Sequence, residues 1–192
     1  MDREGLYNIL LSDDIVTSIN NNLNELLDLI PELKDMIGFE HNHPYHHLDV
    51  WNHTLLALSY SPMDFDIRLV LLLHDIGKPH SYQDAERRHF KGHPKVSSVI
   101  SFNILKRLNF NDDEIIKLCY LIEQHDTMIT DREINGDKEL TIKKFNIQCC
   151  DILAHHPMKL EKRIKYLLNI NEKINTENEK VKCKKLISKF IN

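Results

Sequence analysis

The apolar residues of this chain recur at helical spacing almost throughout and hardly ever alternate, which restricts the fold to a packing of helices. Ile15, Ile19, Leu23, Leu26, Leu27 and Ile30 form one such stripe, predicting a helix opened by Ser12 and Asp13 and closed near Pro31. Further helices are expected over about Asp49–Tyr60, Asp64–Ile76, Pro94–Leu108, Asp112–His125 and Leu140–His155. Punctuation agrees with these limits. Pro62 separates the first two, Gly77 and Pro79 stop the second, Pro94 suits a first helical turn, and Asn135–Gly136 marks a turn. Beyond Pro157, the series Leu160, Ile164, Leu167, Leu168 and then Val181, Leu186, Phe190 predicts one or two charged amphipathic helices. The expected class is all-α: a helical bundle in one domain over 1–192, with a core at about 43–156. Helices in 1–40 and an added C-terminal helical segment in 157–192 pack on that core.

Charge and composition narrow the function. With 25 basic and 29 acidic residues the formal charge is -4, so no global field draws the chain to nucleic acid or anionic membrane. No basic stripe is present, and strong nucleic-acid binding is not expected. No apolar run approaches the roughly 20 residues that span a bilayer; Leu69–Leu73 stops at His74. Cys119, Cys149, Cys150 and Cys183 lack CxxC spacing and no secretory leader precedes them, so a reducing cytoplasm is the expected compartment. Five glycines write neither GxGxxG nor GxxxxGK[ST].

Twelve histidines are the odd feature, and several lie on apolar faces. His74 continues the stripe Ile67, Val70, Leu71; His125 continues Ile115, Leu118, Ile122; Asp151 lies between Ile147 and Ala154. His53 shares a face with Leu56, Ala57 and Tyr60, and His93 precedes Val96 and Ile100. A lone histidine on such a face is most often a core residue with one hydrogen-bond partner. Several together are different. Each unsatisfied buried polar group costs roughly 1–3 kcal/mol, so five or six would consume a total stability of about 5–15 kcal/mol. A divalent cation satisfies several at once, and imidazole with carboxylate suits Fe, Mn, Ni, Co or Zn.

These residues also carry a resemblance. DVWNHT at 49–54, LLLHDIGKP at 71–79, HFKGH at 89–93, His125 at a helix end and Asp151 reproduce the ordered H…HD…H…H…D pattern of the HD-domain superfamily, HDIG type. The likeness is strongest to the HD domain at the C-terminal end of bacterial CCA-adding enzymes and covers about residues 43–156. It implies an HD-domain helical bundle and a metal-dependent phosphohydrolase. His53, His74, Asp75 and Asp151 then hold a first metal, and His93 and His125 a second, with Asp75 bridging. Two ions about 3.5–4 Å apart activate water at neutral pH and clamp phosphoryl oxygens. Asp75 also orients the water, and Lys78 contacts substrate phosphate. The first 40 residues are too short for a nucleotidyltransferase head, so only the hydrolase part carries over. The expected substrate is a small phosphorylated compound of nucleotide type, with cyclic phosphodiesterase, nucleotidase or phosphatase activity. Two other readings share the ligand set: an HD-type di-iron oxygenase, and a nucleotide-binding regulatory module without turnover.

Around this centre, Arg87, Arg88 and His89 precede Gly92 and are candidates for phosphate or ribose, each also readable as a solvated loop residue; Lys95 is a weaker candidate. On position alone Lys78 serves equally as a cation at a helix C-terminus. His41, His43, His46 and His47 either line the mouth of the site or form a polar loop. His155 and His156 read as helix-end residues, Asp126 as a partner steering His125, and Trp51 as core.

Overall fold

A computed structural model describes residues 1–42, 47–83 and 88–174. In order these form α1 (Arg3–Leu10), α2 (Ile15–Asn21), α3 (Leu23–Leu29), a 3₁₀ turn (Pro31–Met36), α4 (Val50–Ser59), α5 (Phe65–Leu73), a second 3₁₀ turn (Lys78–His80), α6 (His93–Arg107), α7 (Asp112–Glu123), α8 (Asp131–Ile134), α9 (Lys138–Leu153) and α10 (Pro157–Ile174). The architecture is all-α. Its β features, among the described residues, are two isolated bridges, Glu40 with Asp49 and Gln83 with His89.

Local chemistry explains where the helices start. Asp49, Asp64 and Asp137 each accept a backbone N–H from three residues on, and Asn111–Glu114 and Thr130–Glu133 close reciprocal capping boxes. The stripe expected as one helix from Ser12 to Ile30 is two. Asn22 breaks it, turning its side-chain amide back to the Ser18 carbonyl at 2.8 Å and leaving helical geometry, and Asp14 rather than Ser12 or Asp13 caps α2. Helix α1, which burial of Leu6, Ile9 and Leu10 adds to the core, was not foreseen as an element of its own. Val181, Leu186 and Phe190 of the expected tail lie outside the described residues.

Leu69, Val70, Leu71, Leu72 and Leu73 are all fully buried, so α5 is apolar all round, as a central helix must be. It packs against α1, α4, α7 and α9. Buried Arg68 links it to the N-terminal helices by donating to the Leu10 and Ser12 carbonyls and to Ser61. One apolar cluster joins α1 through α7 with Ile147, Cys150 and Ala154 of α9. A second unites Leu160, Leu167, Ile170 and Ile174 of α10 with Phe145, Cys149 and Ile152 of α9. The C-terminal end of α5 consequently emerges amid its neighbours rather than in solvent.

Candidate metal centre

His74 and Asp75 are the two residues at that end, 0% and 1% exposed. The chain must then turn closely past α6, and Gly77 permits it: a Cβ there would fall 2.5 Å from the Ser97 backbone nitrogen and 2.8 Å from the His93 carbonyl. The Gly77 N–H donates to Ser97 Oγ at 2.9 Å, which pins the first turn of α6, and with it His93, beside Asp75. Gly92, at φ 82°, supplies the left-handed residue that starts α6. His53 comes from the interior of α4 and Asp151 from α9; His125 follows the end of α7.

Three elements beside α5 thus direct side chains at one aspartate, and α9 adds Asp151 next to two of those around it. His74 Nε2 lies 3.2 Å from Asp75 Oδ2, His53 Nε2 3.7 Å from the same oxygen, and His93 and His125 Nε2 3.2 and 3.9 Å from Oδ1. Asp151 Oδ1 is 2.9 Å from His53 Nε2 and 3.6 Å from His74 Nε2. The other ring nitrogens are committed. Nδ1 of His74, His93, His125 and His53 donates to the carbonyls of Leu71, Phe90, Ile122 and Ala154 at 2.7, 2.9, 2.7 and 3.3 Å. Those bonds assign the proton to Nδ1 and leave each Nε2 lone pair aimed inward.

Apart from the Lys78 ammonium beside Asp75 Oδ2, the cluster therefore consists of acceptors facing acceptors. His93 and His125 Nε2 approach to 3.3 Å with Asp75 Oδ1 beside them, and His74 Nε2 and both Asp75 oxygens are buried without a hydrogen-bond partner. Lone pairs so arranged repel unless a cation lies among them, so the donor set fits divalent metal. Three groupings could hold an ion: His53–His74–Asp75, Asp75–His93–His125, and His53–Asp151–His155. Burial alone would lower the His74 pKa, but Asp75 and Asp151 override it and push it up to about 10. Burial, reinforced by His74 and His93, brings His125 down to about 4. Burial would raise the Asp75 and Asp151 carboxyls, yet His74 and Lys78, and His155 and His53, hold them well below the usual carboxylate range.

The six residues read from the sequence as ligands, His53, His74, Asp75, His93, His125 and Asp151, are thus brought together, and Lys78 joins them. Lys78 is buried, its Nζ 2.6 Å from Asp75 Oδ2 in an ion pair whose angles fall outside hydrogen-bond geometry. Other expectations change. His155 is a buried member of the centre rather than a mere helix-end residue, its Nδ1 2.7 Å from the Asp151 carbonyl and 3.6 Å from its carboxylate. Its spacing of four from Asp151 puts both on one face, which was the signal available in the sequence. Asp126 is exposed, and the Ile122 carbonyl, not Asp126, orients His125. His41 is buried against Lys78, whereas His43 and His46 lie outside the described residues. Trp51 is core.

An open cavity of about 380 Å³ leads to the centre, lined by Asp75, Lys78, Lys91, His93, His125 and His155 among others. Arg88 and His89 do not line it. The Arg88 guanidinium bonds the Glu40 carbonyl at 2.7 Å and covers Phe39 and Tyr82, while His89 and Lys95 are exposed; Arg87 lies outside the described residues. Lys91 supplies the cation from this loop, and Arg163 of α10 lines a small recess that also reaches His125 and Asp151.

The model of the HD domain matches residues 45–168, well over half of the chain. The chain belongs to the HD-domain family. It is 33% identical over 133 residues to the A-adding tRNA nucleotidyltransferase of Deinococcus radiodurans, covering 64% of this chain and 30% of that protein. To the CC-adding tRNA nucleotidyltransferase of Thermus thermophilus it is 31% identical over 104 residues, 50% of this chain and 24% of that one. The chain thus spans less than a third of the length of these curated relatives. Among the described residues no helix is long and apolar enough to cross a membrane.

Proposed function

We propose that this HD-domain protein is a metal-dependent phosphohydrolase, a single domain acting on a phosphoester or phosphoanhydride of a nucleotide-type substrate. The observation that carries the reading is that His74 Nε2 and both Asp75 oxygens are buried without a hydrogen-bond partner and faced by three further imidazoles. His53, His74, Asp75 and Asp151 would hold one ion, and Asp75, His93 and His125 a second, with His155 in reach of the first group. Bound divalent ions supply Lewis acidity that activates water and neutralises phosphoryl charge. The protein's own residues do the rest. Asp75 orients the attacking water, and the carbonyl-anchored Nδ1–H groups keep every imidazole in the tautomer that presents Nε2. Lys78, Lys91 and Arg163 form a cationic rim that receives the substrate's phosphates.

A cavity of about 380 Å³ falls within the roughly 300–1,000 Å³ typical of small-molecule sites. Likeness to segments of tRNA nucleotidyltransferases supports a nucleotide-type substrate. The lack of CxxC spacing among Cys119, Cys149, Cys150 and Cys183 supports a cytoplasmic location. The test is metal analysis of protein purified without chelator, followed by a screen of cyclic, mono- and dinucleotides with manganese, nickel, cobalt, iron or zinc restored. Metal in stoichiometric amount is expected, with hydrolysis of at least one substrate, read as released phosphate from a monoester and as the ring-opened or cleaved monoester from a cyclic or dinucleotide diester. A metal-loaded protein that hydrolyses none of these, or one that consumes oxygen instead, would end the phosphohydrolase reading.

A further inference from the structure

His41 precedes the residues matched by the family model, which begin at 45, and yet it is 1% exposed and packed against the metal centre. Its Nδ1 lies 2.9 Å from the Leu48 carbonyl, its Nε2 3.0 Å from Lys78 Nζ, and its ring meets Phe90 edge-on at 5.6 Å. The donor and acceptor roles are forced. A carbonyl accepts only, so Nδ1 carries the proton; an ammonium donates only, so Nε2 must offer a lone pair. This is the neutral Nδ1–H tautomer, with the ring as a rigid spacer between a backbone carbonyl and a buried lysine.

The lysine is the point of the arrangement. Lys78 Nζ sits among His41 Nε2, Asp75 Oδ2 at 2.6 Å and the face of Phe90 at 5.6 Å, and it also lines the open cavity. A lysine in solvent sweeps its charge through many rotamers. Here one of its three N–H groups is committed to His41, which holds the ammonium in an ion pair with Asp75 and at the wall of the cavity.

We propose that His41 is a positioning residue: as a neutral Nδ1–H imidazole it accepts a hydrogen bond from Lys78 and aims the remaining N–H groups of that ammonium at a substrate phosphate. The phosphate role of Lys78 rests on the phosphohydrolase reading; the His41–Lys78 hydrogen bond does not, and the two are tested separately. His41 thereby extends the site beyond the HD pattern, through a residue read from the sequence only as part of a polar histidine cluster.

Two substitutions divide the ring's functions. His41→Asn keeps a donor for Leu48 and lacks the reach to accept from Lys78, whereas His41→Gln reaches the Nε2 position and gives up the Leu48 anchor. Calorimetry with inorganic phosphate on the manganese-loaded full chain should show binding weakened about tenfold in His41→Asn, as in Lys78→Met, with near-parental affinity in His41→Gln. The double variant His41→Asn/Lys78→Met should bind no more weakly than Lys78→Met alone. The reverse order, with Asn tolerated and Gln impaired, would mean that His41 only anchors the loop and would overturn the proposal. Long-range proton–nitrogen spectra of His41 decide the hydrogen bond without any ligand. An Nδ1–H tautomer whose Nε2 resonance moves in Lys78→Met sustains it, and an Nε2–H tautomer refutes it. If the manganese-loaded protein bound no phosphate at all, the phosphohydrolase reading would fall with the phosphate role of Lys78, and the spectra would still judge the pairing.

Discussion

One face of α9 carries two buried polar groups with opposite fates. Lys144 and Asp151 are seven residues apart, two turns of helix, and both are buried. Around Lys144 the buried charge is paired: Nζ donates to Glu133 Oε1 at 2.7 Å and Thr127 Oγ1 at 3.2 Å. One turn on, Gln148 donates to the Thr127 carbonyl and accepts from Tyr166, whose hydroxyl accepts in turn from the Ile129 N–H. Asp151 Oδ1 meets His53 Nε2 at 2.9 Å, but beside it His74 Nε2 and both Asp75 oxygens go without a hydrogen-bond partner. A satisfied network contributes to stability and rigidity. An unsatisfied one is retained only if something absent from the chain completes it.

Removing a group from each region separates them, and the largest effect belongs to the centre. Asp75→Ala and His74→Ala should each abolish metal content and phosphatase activity while leaving the helical circular dichroism intact. Chelating the metal should lower the parental melting temperature, because a ligand at 100 times its Kd stabilises by about 2.7 kcal/mol, and neither variant should respond to chelator. A variant that kept stoichiometric metal would break the assignment.

His93→Ala is the next step down. His93 lies at the cavity edge and touches Asp75 and His125 but neither His53 nor Asp151 by any distance above, so it belongs to one half of the centre. Loss of one ion of two is expected, with activity reduced about 10²- to 10³-fold. Loss of both ions, or of neither, would show that the two groupings are not independent.

The same contrast explains what was legible in the sequence. Helical class and the inward faces that carry His53, His74, His125 and Asp151 followed from periodicity, because a helix fixes which residues share a face, while the grouping of these with Asp75 and His93 as candidate ligands came from the resemblance of DVWNHT, LLLHDIGKP and HFKGH to the HD pattern. What failed was whatever a partner distant in the chain decides. His41 is claimed by Lys78 and Leu48, Arg88 by Glu40, Phe39 and Tyr82, and no local pattern announces either pairing. The break at Asn22 depended on one side-chain amide choosing the Ser18 carbonyl over solvent. Lys144 and Asp151 share a face of α9, and their difference lies in residues 127, 133, 53 and 74, supplied by other elements.

A smaller effect tests the satisfied side. Glu133→Gln leaves the buried Lys144 ammonium facing a neutral amide, at a cost of about 2 kcal/mol, or roughly 4–8 °C in melting temperature for a chain of this size. Metal content should not change. A loss of metal equal to that in His93→Ala would show the two ends of α9 to be coupled.

The pH dependence of that difference is the smallest effect and the most specific. Partial burial would raise the Glu133 carboxyl, but hydrogen bonds from Lys144 and from the Thr130 backbone and hydroxyl overcome it and lower its pKa from 4.5 to about 2. A carboxyl depressed on folding stabilises the native state fully above its unfolded pKa and loses that contribution as pH falls through the folded value. The stability gap between the parental chain and Glu133→Gln should therefore be constant above about pH 5 and close progressively between about pH 4.5 and 2. Urea melts across that range, run with chelator so that metal binding does not titrate alongside, measure it directly. A gap unchanged down to pH 2 would mean that the glutamine loses packing or capping at Thr130 rather than the charge paired with Lys144, and the satisfied network would then owe its stability to shape instead of ionisation.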